Sequence, residues 1–95
     1  MIDIIAFKQF LKENFDTSIL SVDEFKPDLQ FVDIDCLKDI KRKLTLEISN
    51  QTIKVSTVSK EAELDFSLYD YCFESVLEAQ IFLSDIKKTG VFKTI

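Results

Sequence analysis

The side chains with the clearest potential for chemistry are three closely spaced carboxylates. Asp33, Asp35 and Asp39 have a spacing that resembles the start of a calcium-binding loop. A calcium loop beginning at Asp33 requires Gly at its sixth position and Glu at its twelfth, where this chain has Lys38 and Leu44. A carboxylate pair that hydrolyses sugars is the alternative, but a small two-layer domain leaves little room for the necessary cleft. We therefore interpret these carboxylates as a solvated acidic face and predict no metal ion.

Other catalytic groups are missing from the sequence or poorly placed in it. The chain contains no His, which removes imidazole-based acid–base catalysis, His-activated nucleophiles and zinc sites that need imidazole. Its single glycine, Gly90, excludes the multi-glycine loops that cradle phosphates. Cys72 lies between two aromatic residues and is predicted to be a packed core thiol. The Ser59-Lys60 pair is predicted to be exposed, where a lysine does not act as a base. The sequence thus predicts a protein that is not an enzyme and has no cofactor.

The acidic charge is concentrated in one segment. The whole formal net charge of −5 belongs to residues 16–39, because acids and bases balance on either side of them. This balance and a single arginine, Arg42, argue against a nucleic-acid partner, which would require a basic patch. They favour a basic protein partner, since local negative charge speeds association with a positive surface. The predicted partner-binding residues are the carboxylates of this segment and two tyrosines whose amphipathic rings suit an interface: Asp23, Glu24, Asp28, Asp33, Asp35, Asp39, Tyr69 and Tyr71.

Two amphipathic helices are predicted near the ends of the chain. Apolar residues recur at helical spacing over 4–15, directly after Asp3, which is a suitable N-cap. Near the other end, Ser75 and Glu78 have the spacing of a capping box and precede a second apolar stripe. Gly90 is placed to adopt the left-handed conformation that ends such a helix.

A β-hairpin is predicted over 43–58, where apolar and polar residues alternate. A two-residue turn at Asn50-Gln51 accounts for the pattern, because Asn tolerates the positive φ that such turns need. In that register the apolar pairs share one face and a pair of opposite charges lies on the other: Ile48 with Ile53, Leu46 with Val55, and Glu47 with Lys54.

The segment between the first helix and this hairpin has the weakest pattern. Ser21 and Glu24 have capping-box spacing, which predicts a short helix ended by Pro27. Residues 31–36 then alternate as a half-buried strand, with a helical turn over 29–36 as the alternative. A third strand is predicted over 64–68, with a bulge or bend directly after it.

This order of elements predicts an α+β fold over a single domain, residues 1–95: a two-layer, antiparallel meander of three to four strands with an N-terminal and a C-terminal helix on one face. The sequence contains neither an export signal nor a membrane-spanning apolar run, which predicts a cytoplasmic protein with no membrane contact. Cys36 and Cys72 are accordingly predicted to be reduced and partly buried, and one disulfide in a secreted domain is the alternative.

A small acidic α+β domain without catalytic residues resembles bacterial immunity and antitoxin proteins in size, charge and chemistry, although no sequence motif carries this resemblance. The resemblance implies a non-catalytic inhibitor whose carboxylates cover the cationic active site of a nuclease-like toxin. The alternative is a small acidic secretion-type chaperone or dimeric adaptor that holds a client protein on an unpaired strand edge or an exposed sheet face. A monomer is expected for the first function and a homodimer for the second.

Overall fold

The computed structural model describes residues 1–36, 42–59 and 71–94. Within these ranges the elements follow one another as α1 (Ile4–Asn14), a 3₁₀ turn (Thr17–Ile19), β1 (Leu20–Lys26), β2 (Leu29–Asp35), β3 (Arg42–Ser49), β4 (Ile53–Ser59), β5 (Tyr71–Phe73) and α2 (Val76–Lys87). All neighbouring strands are antiparallel, and the sheet order is β1-β2-β3-β4-β5. The predicted α+β class is confirmed. The prediction of three to four strands is wrong, since the described residues form five.

One face of the sheet forms the core with the two helices. Val32, Leu46 and Val55 lie opposite one another across β2, β3 and β4, and each is at most 1% exposed. Phe7 of α1 and Leu83 of α2 are fully buried in the same cluster. Most apolar side chains of the strands therefore point toward the helices and most of the intervening polar ones lie on the opposite face, with Phe31 and Gln30 of β2 as exceptions.

The two predicted helices are confirmed, with their caps. The Asp3 carboxylate accepts a hydrogen bond from the Ala6 backbone N–H at 3.0 Å and so begins α1. The Ser75 hydroxyl accepts a hydrogen bond from the Glu78 backbone N–H at 3.2 Å and so begins α2. After α2, Gly90 has a φ of +73°, a conformation that other residues rarely adopt.

The predicted register of the central hairpin is confirmed, but the expected conformation of its turn is wrong. Ile48 pairs with Ile53 and Glu47 pairs with Lys54. Among the described residues no non-glycine residue has a positive φ, so Asn50 does not take the conformation that the sequence suggested. The Ser49 hydroxyl closes the turn instead, by accepting hydrogen bonds from the N–H groups that follow the tip, including that of Thr52 at 3.0 Å.

The predicted short helix after Ser21 is wrong, because these residues form strand β1. β1 pairs with β2 across a turn at Pro27 and Asp28, with Val22 opposite Val32. The capping-box spacing was misleading because pairing with β2 already satisfies backbone groups along this segment. The strand interpretation of residues 31–36 is confirmed, and the strand β2 has slightly different bounds. The strand predicted over 64–68 and the bend after it lie outside the described residues.

Candidate functional site

Five of the six predicted acidic binding residues lie on the β1–β2 hairpin. Asp23 and Glu24 are on β1, Asp28 is in the turn, and Asp33 and Asp35 are on β2. These acids share one hairpin but not one surface, because Glu24 contacts α1 whereas Asp33 and Asp35 lie on the sheet face opposite the helices. The sixth, Asp39, lies outside the described residues, as does Tyr69.

Lysines from other parts of the chain neutralise several carboxylates of the acidic segment. Among the described residues, ion pairs reach into the segment 16–39 from Lys8 to Glu24 at 2.8 Å, from Lys43 to Asp33 at 3.0 Å and from Lys93 to Asp16 at 3.6 Å. The concentration of charge that is seen along the sequence is therefore weaker on the folded surface. The carboxylates that remain unpaired are the ones able to attract a partner.

Asp33 is held within the sheet on the face opposite the helices. Its two carboxylate oxygens accept hydrogen bonds from Lys43 Nζ at 3.0 Å and from Thr45 Oγ1 at 2.9 Å. The side chains of Asp33 and Lys43 are each about one-third exposed. Asp35 lies on the same face, opposite Lys43 in the strand register, and is half-buried. These contacts give Asp33 a structural role on β2.

Glu24 joins β1 to α1. Its carboxylate accepts a hydrogen bond from Lys8 Nζ, and the Lys8 side chain is only 14% exposed. This hydrogen bond and the positive charge of Lys8 lower the pKa of Glu24 below its ordinary value. In the same way, hydrogen bonds from Ser18, followed by the charge of Lys93, lower the pKa of Asp16. Both carboxylates therefore stay ionised to lower pH than free side chains would.

Asp23 and Asp28 are the unpaired acids of the hairpin. Both are exposed, and neither makes an ion pair or a side-chain hydrogen bond to any other part of the chain that the structure describes. Lys26 lies between them in the sequence, with its Nζ 5.6 Å from the centroid of the Phe25 ring. The exposed Phe25 is thus two residues from Asp23 and three from Asp28 along the hairpin.

Apolar side chains are exposed along the same strand. β1 is exposed at every position after Leu20, including Val22 at 41% and Phe25 at 62%. Ile5 of α1 is 79% exposed and, with Glu24 and Lys26, lines a cleft of about 390 Å³ between α1 and the hairpin. We did not expect these apolar residues at the site from sequence. The sequence does contain one signal of their exposure, because neither Val22 nor Phe25 is part of a complete row of apolar residues at strand or helix spacing.

Tyr71 does not join this acidic surface. It lies on β5 at the opposite edge of the described sheet, four strand spacings or roughly 19 Å from β1. Its ring centroid is 4.6 Å from that of Phe82, and the residue is 49% exposed. Tyr71 is therefore a half-exposed part of the aromatic packing between β5 and α2.

The prediction that Cys72 is a packed core thiol is wrong. Cys72 pairs with Lys54 on the face opposite the helices and is exposed, because Tyr71 and Phe73 take the inward positions on β5. Cys36 is half-buried, and neither of the two described cysteines forms a disulfide. Within the described ranges, no three His, Cys, Asp or Glu side chains are placed to hold a metal ion. No helix in the same ranges is long and apolar enough to span a membrane.

Comparison with protein-family models, with curated proteins and with solved structures finds no match to this chain.

Proposed function

We propose that this chain is a non-catalytic protein-binding domain whose β1–β2 hairpin contacts a basic protein partner. The observation that carries the proposal is the exposure of this hairpin: its outer strand carries exposed Val22 and Phe25 together with the unpaired Asp23, and the unpaired Asp28 lies in its turn. Apolar and aromatic anchors supply most of the free energy at protein interfaces, while flanking charges orient the approach and speed association. The hairpin carries both kinds of group on one exposed element.

The protein class that best fits this chemistry is the immunity or antitoxin type. Such a protein binds a cationic toxin, often a nuclease, and covers its active site with carboxylates. The small acidic domain and the free carboxylates of its hairpin support this proposal. The partner would then be a basic toxin domain, and a stoichiometric amount of the chain would abolish its activity.

The first experiment identifies the partner and measures its association with the chain. The tagged full chain is used to capture proteins from the cell that makes it, and the captured protein is purified for stopped-flow kinetics. We expect a basic partner whose association rate falls steeply with added salt. We expect the D23N/D28N double variant to associate roughly three- to tenfold more slowly at low salt.

The matched control for that variant is E74Q/D85N, which removes the same number of charges from exposed positions near and within α2. It makes the net charge less negative by the same amount as D23N/D28N but leaves the hairpin intact, so its association rate should change much less. Equal rates for both variants, or an association rate that does not depend on salt, would contradict recognition by the hairpin.

A second candidate function is a dimeric adaptor or small chaperone. The observation that favours it is an exposed apolar pair on α2, where Leu77 is 65% and Ile81 55% exposed one helical turn apart. This pair faces away from the buried Ala79 and Leu83. Under this alternative the chain forms a homodimer whose client binding is insensitive to salt. Sedimentation of the wild type and of an L77D/I81D variant tests this alternative. The wild type should sediment as a dimer and the variant as a monomer, because the substitutions would disrupt a dimer interface on α2.

A further inference from the structure

We propose that the partner binds by adding a strand to the free edge of β1, and that this strand alternates basic and apolar residues. The inference rests on the proposed function, because it specifies how the hairpin recognises a basic protein. Backbone hydrogen bonds of β1 hold the bound segment, and the side chains of β1 set its sequence pattern.

The backbone of β1 supplies the docking edge. Within the part of the chain that the structure describes, β1 pairs with β2 alone and forms one edge of the sheet. Alternate residues of an antiparallel edge strand direct their N–H and C=O groups away from the neighbouring strand. The pairing is regular from Leu20 to Asp23 and becomes irregular between Asp23 and Lys26. The regular part offers backbone groups to an incoming strand, and the irregular part limits how far that strand extends.

The side chains of β1 determine the pattern of the incoming strand. Val22 lies opposite Val32 and therefore on the face that the helices cover, whereas Asp23 lies opposite Phe31 on the other face. Val22 is 41% exposed because no strand among the described residues lies beyond β1 to complete the apolar row. An added strand would place one side chain beside Val22 and the next beside Asp23. An apolar residue beside Val22 would complete the apolar row, and a lysine or arginine beside Asp23 would form a cross-strand ion pair.

The charge of the edge argues against a second copy of this chain as the occupant. Pairing of two antiparallel β1 strands about a twofold axis at Asp23 would place the unpaired carboxylates of the two copies directly opposite one another. Like charges directly opposite one another destabilise a strand pair. A lysine or arginine opposite Asp23 forms a favourable cross-strand pair at the same position, so charge complementarity selects a partner of a different sequence.

The test uses synthetic peptides and the isotope-labelled full chain. The probe is a peptide as long as β1 that alternates lysine and valine, and its twin carries N-methyl groups on alternate backbone amides. Methylation removes the donors that pair with β1 while it keeps the charge and side chains, and the protein is unchanged in both measurements. We expect the parent peptide to bind at least about tenfold more tightly than its twin, because several backbone hydrogen bonds are lost.

Amide hydrogen exchange locates the bound peptide. The expected result is slower exchange within Leu20–Asp23 and no change at Tyr71–Phe73, the other edge. A D23K variant should weaken the lysine–valine peptide and strengthen a glutamate–valine peptide. Unchanged exchange in β1 would overturn the proposal, and so would slow exchange that depends only on protein concentration, because the occupant would then be a second copy.

A further outcome separates this inference from the proposed function. If the parent and methylated peptides bind equally, and D23N/D28N weakens both, strand addition is wrong while charge-based recognition by the hairpin stands. If D23N/D28N leaves the association rate of the captured partner unchanged, recognition of a basic partner by the hairpin is wrong as well.

Discussion

The two hairpins of this sheet, β1–β2 and β3–β4, have the same connectivity but opposite surroundings. In β3–β4 each strand has a neighbour on both sides, and Leu46 and Ile53 are fully buried. In β1–β2 only the inner strand is buried against the helices, and the outer strand is exposed from Ser21 to Lys26. The contrast separates side chains that hold the fold together from side chains that the fold leaves available for a partner.

The largest expected effect comes from shortening an apolar side chain in each hairpin. L46A should lower the free energy of unfolding by about 2–5 kcal/mol, because it opens a cavity in a fully buried row. V22A should change it by no more than about 0.5 kcal/mol, because Val22 is already partly in water. Urea denaturation followed by circular dichroism measures both. Similar losses for the two variants would mean that β1 is packed as firmly as β3. The two hairpins would then not differ in how they contribute to stability.

An intermediate effect distinguishes two carboxylates within the β1–β2 hairpin. D33N should lower the free energy of unfolding by about 1 kcal/mol, because Asp33 accepts hydrogen bonds from Lys43 and Thr45 in a half-buried position. D23N should leave stability nearly unchanged, since Asp23 is exposed and makes no ion pair with the described residues. The same denaturation experiment serves as the readout. A larger loss for D23N than for D33N would reverse the assignment of a structural role to Asp33.

The smallest expected effect is a pH dependence at the contact between β1 and α1. Lys8 lowers the pKa of Glu24 in the folded state, so the pair stabilises the fold at pH values above the unfolded pKa of about 4.3. This contribution is lost as the pH falls through the lower, folded pKa of Glu24. E24Q should therefore be slightly less stable than the wild type near neutral pH, and the difference should disappear in acid. A difference that stays constant from neutral pH to about pH 2 would show that Glu24 acts through packing and not through its charge.

Local patterns were sufficient for the elements whose neighbours lie close in the chain. The capped helices and the β3–β4 register follow from spacing alone, because a single shift of register would place Glu47 and Lys54 in the core. β1 could not be predicted in this way. Its Ser21 and Glu24 match a helix signal, and the competing strand pairing depends on β2, which the local pattern does not include. The exposure of Cys72 was missed for a similar reason, since the phase of β5 is set by pairing with β4.

The candidate site also combines features that the sequence determines with features that only the tertiary structure decides. The acidic composition of residues 16–39 and the absence of His are properties of the sequence, and the proposal of a basic partner starts from them. Which carboxylates remain free was decided by the tertiary structure, because Lys8 and Lys93 reach Glu24 and Asp16 from distant parts of the chain. The exposure of Val22 likewise depends on the position of β1 at an edge of the sheet. Periodicity records which side chains share a face, whereas ion pairing and exposure depend on which distant elements lie against that face.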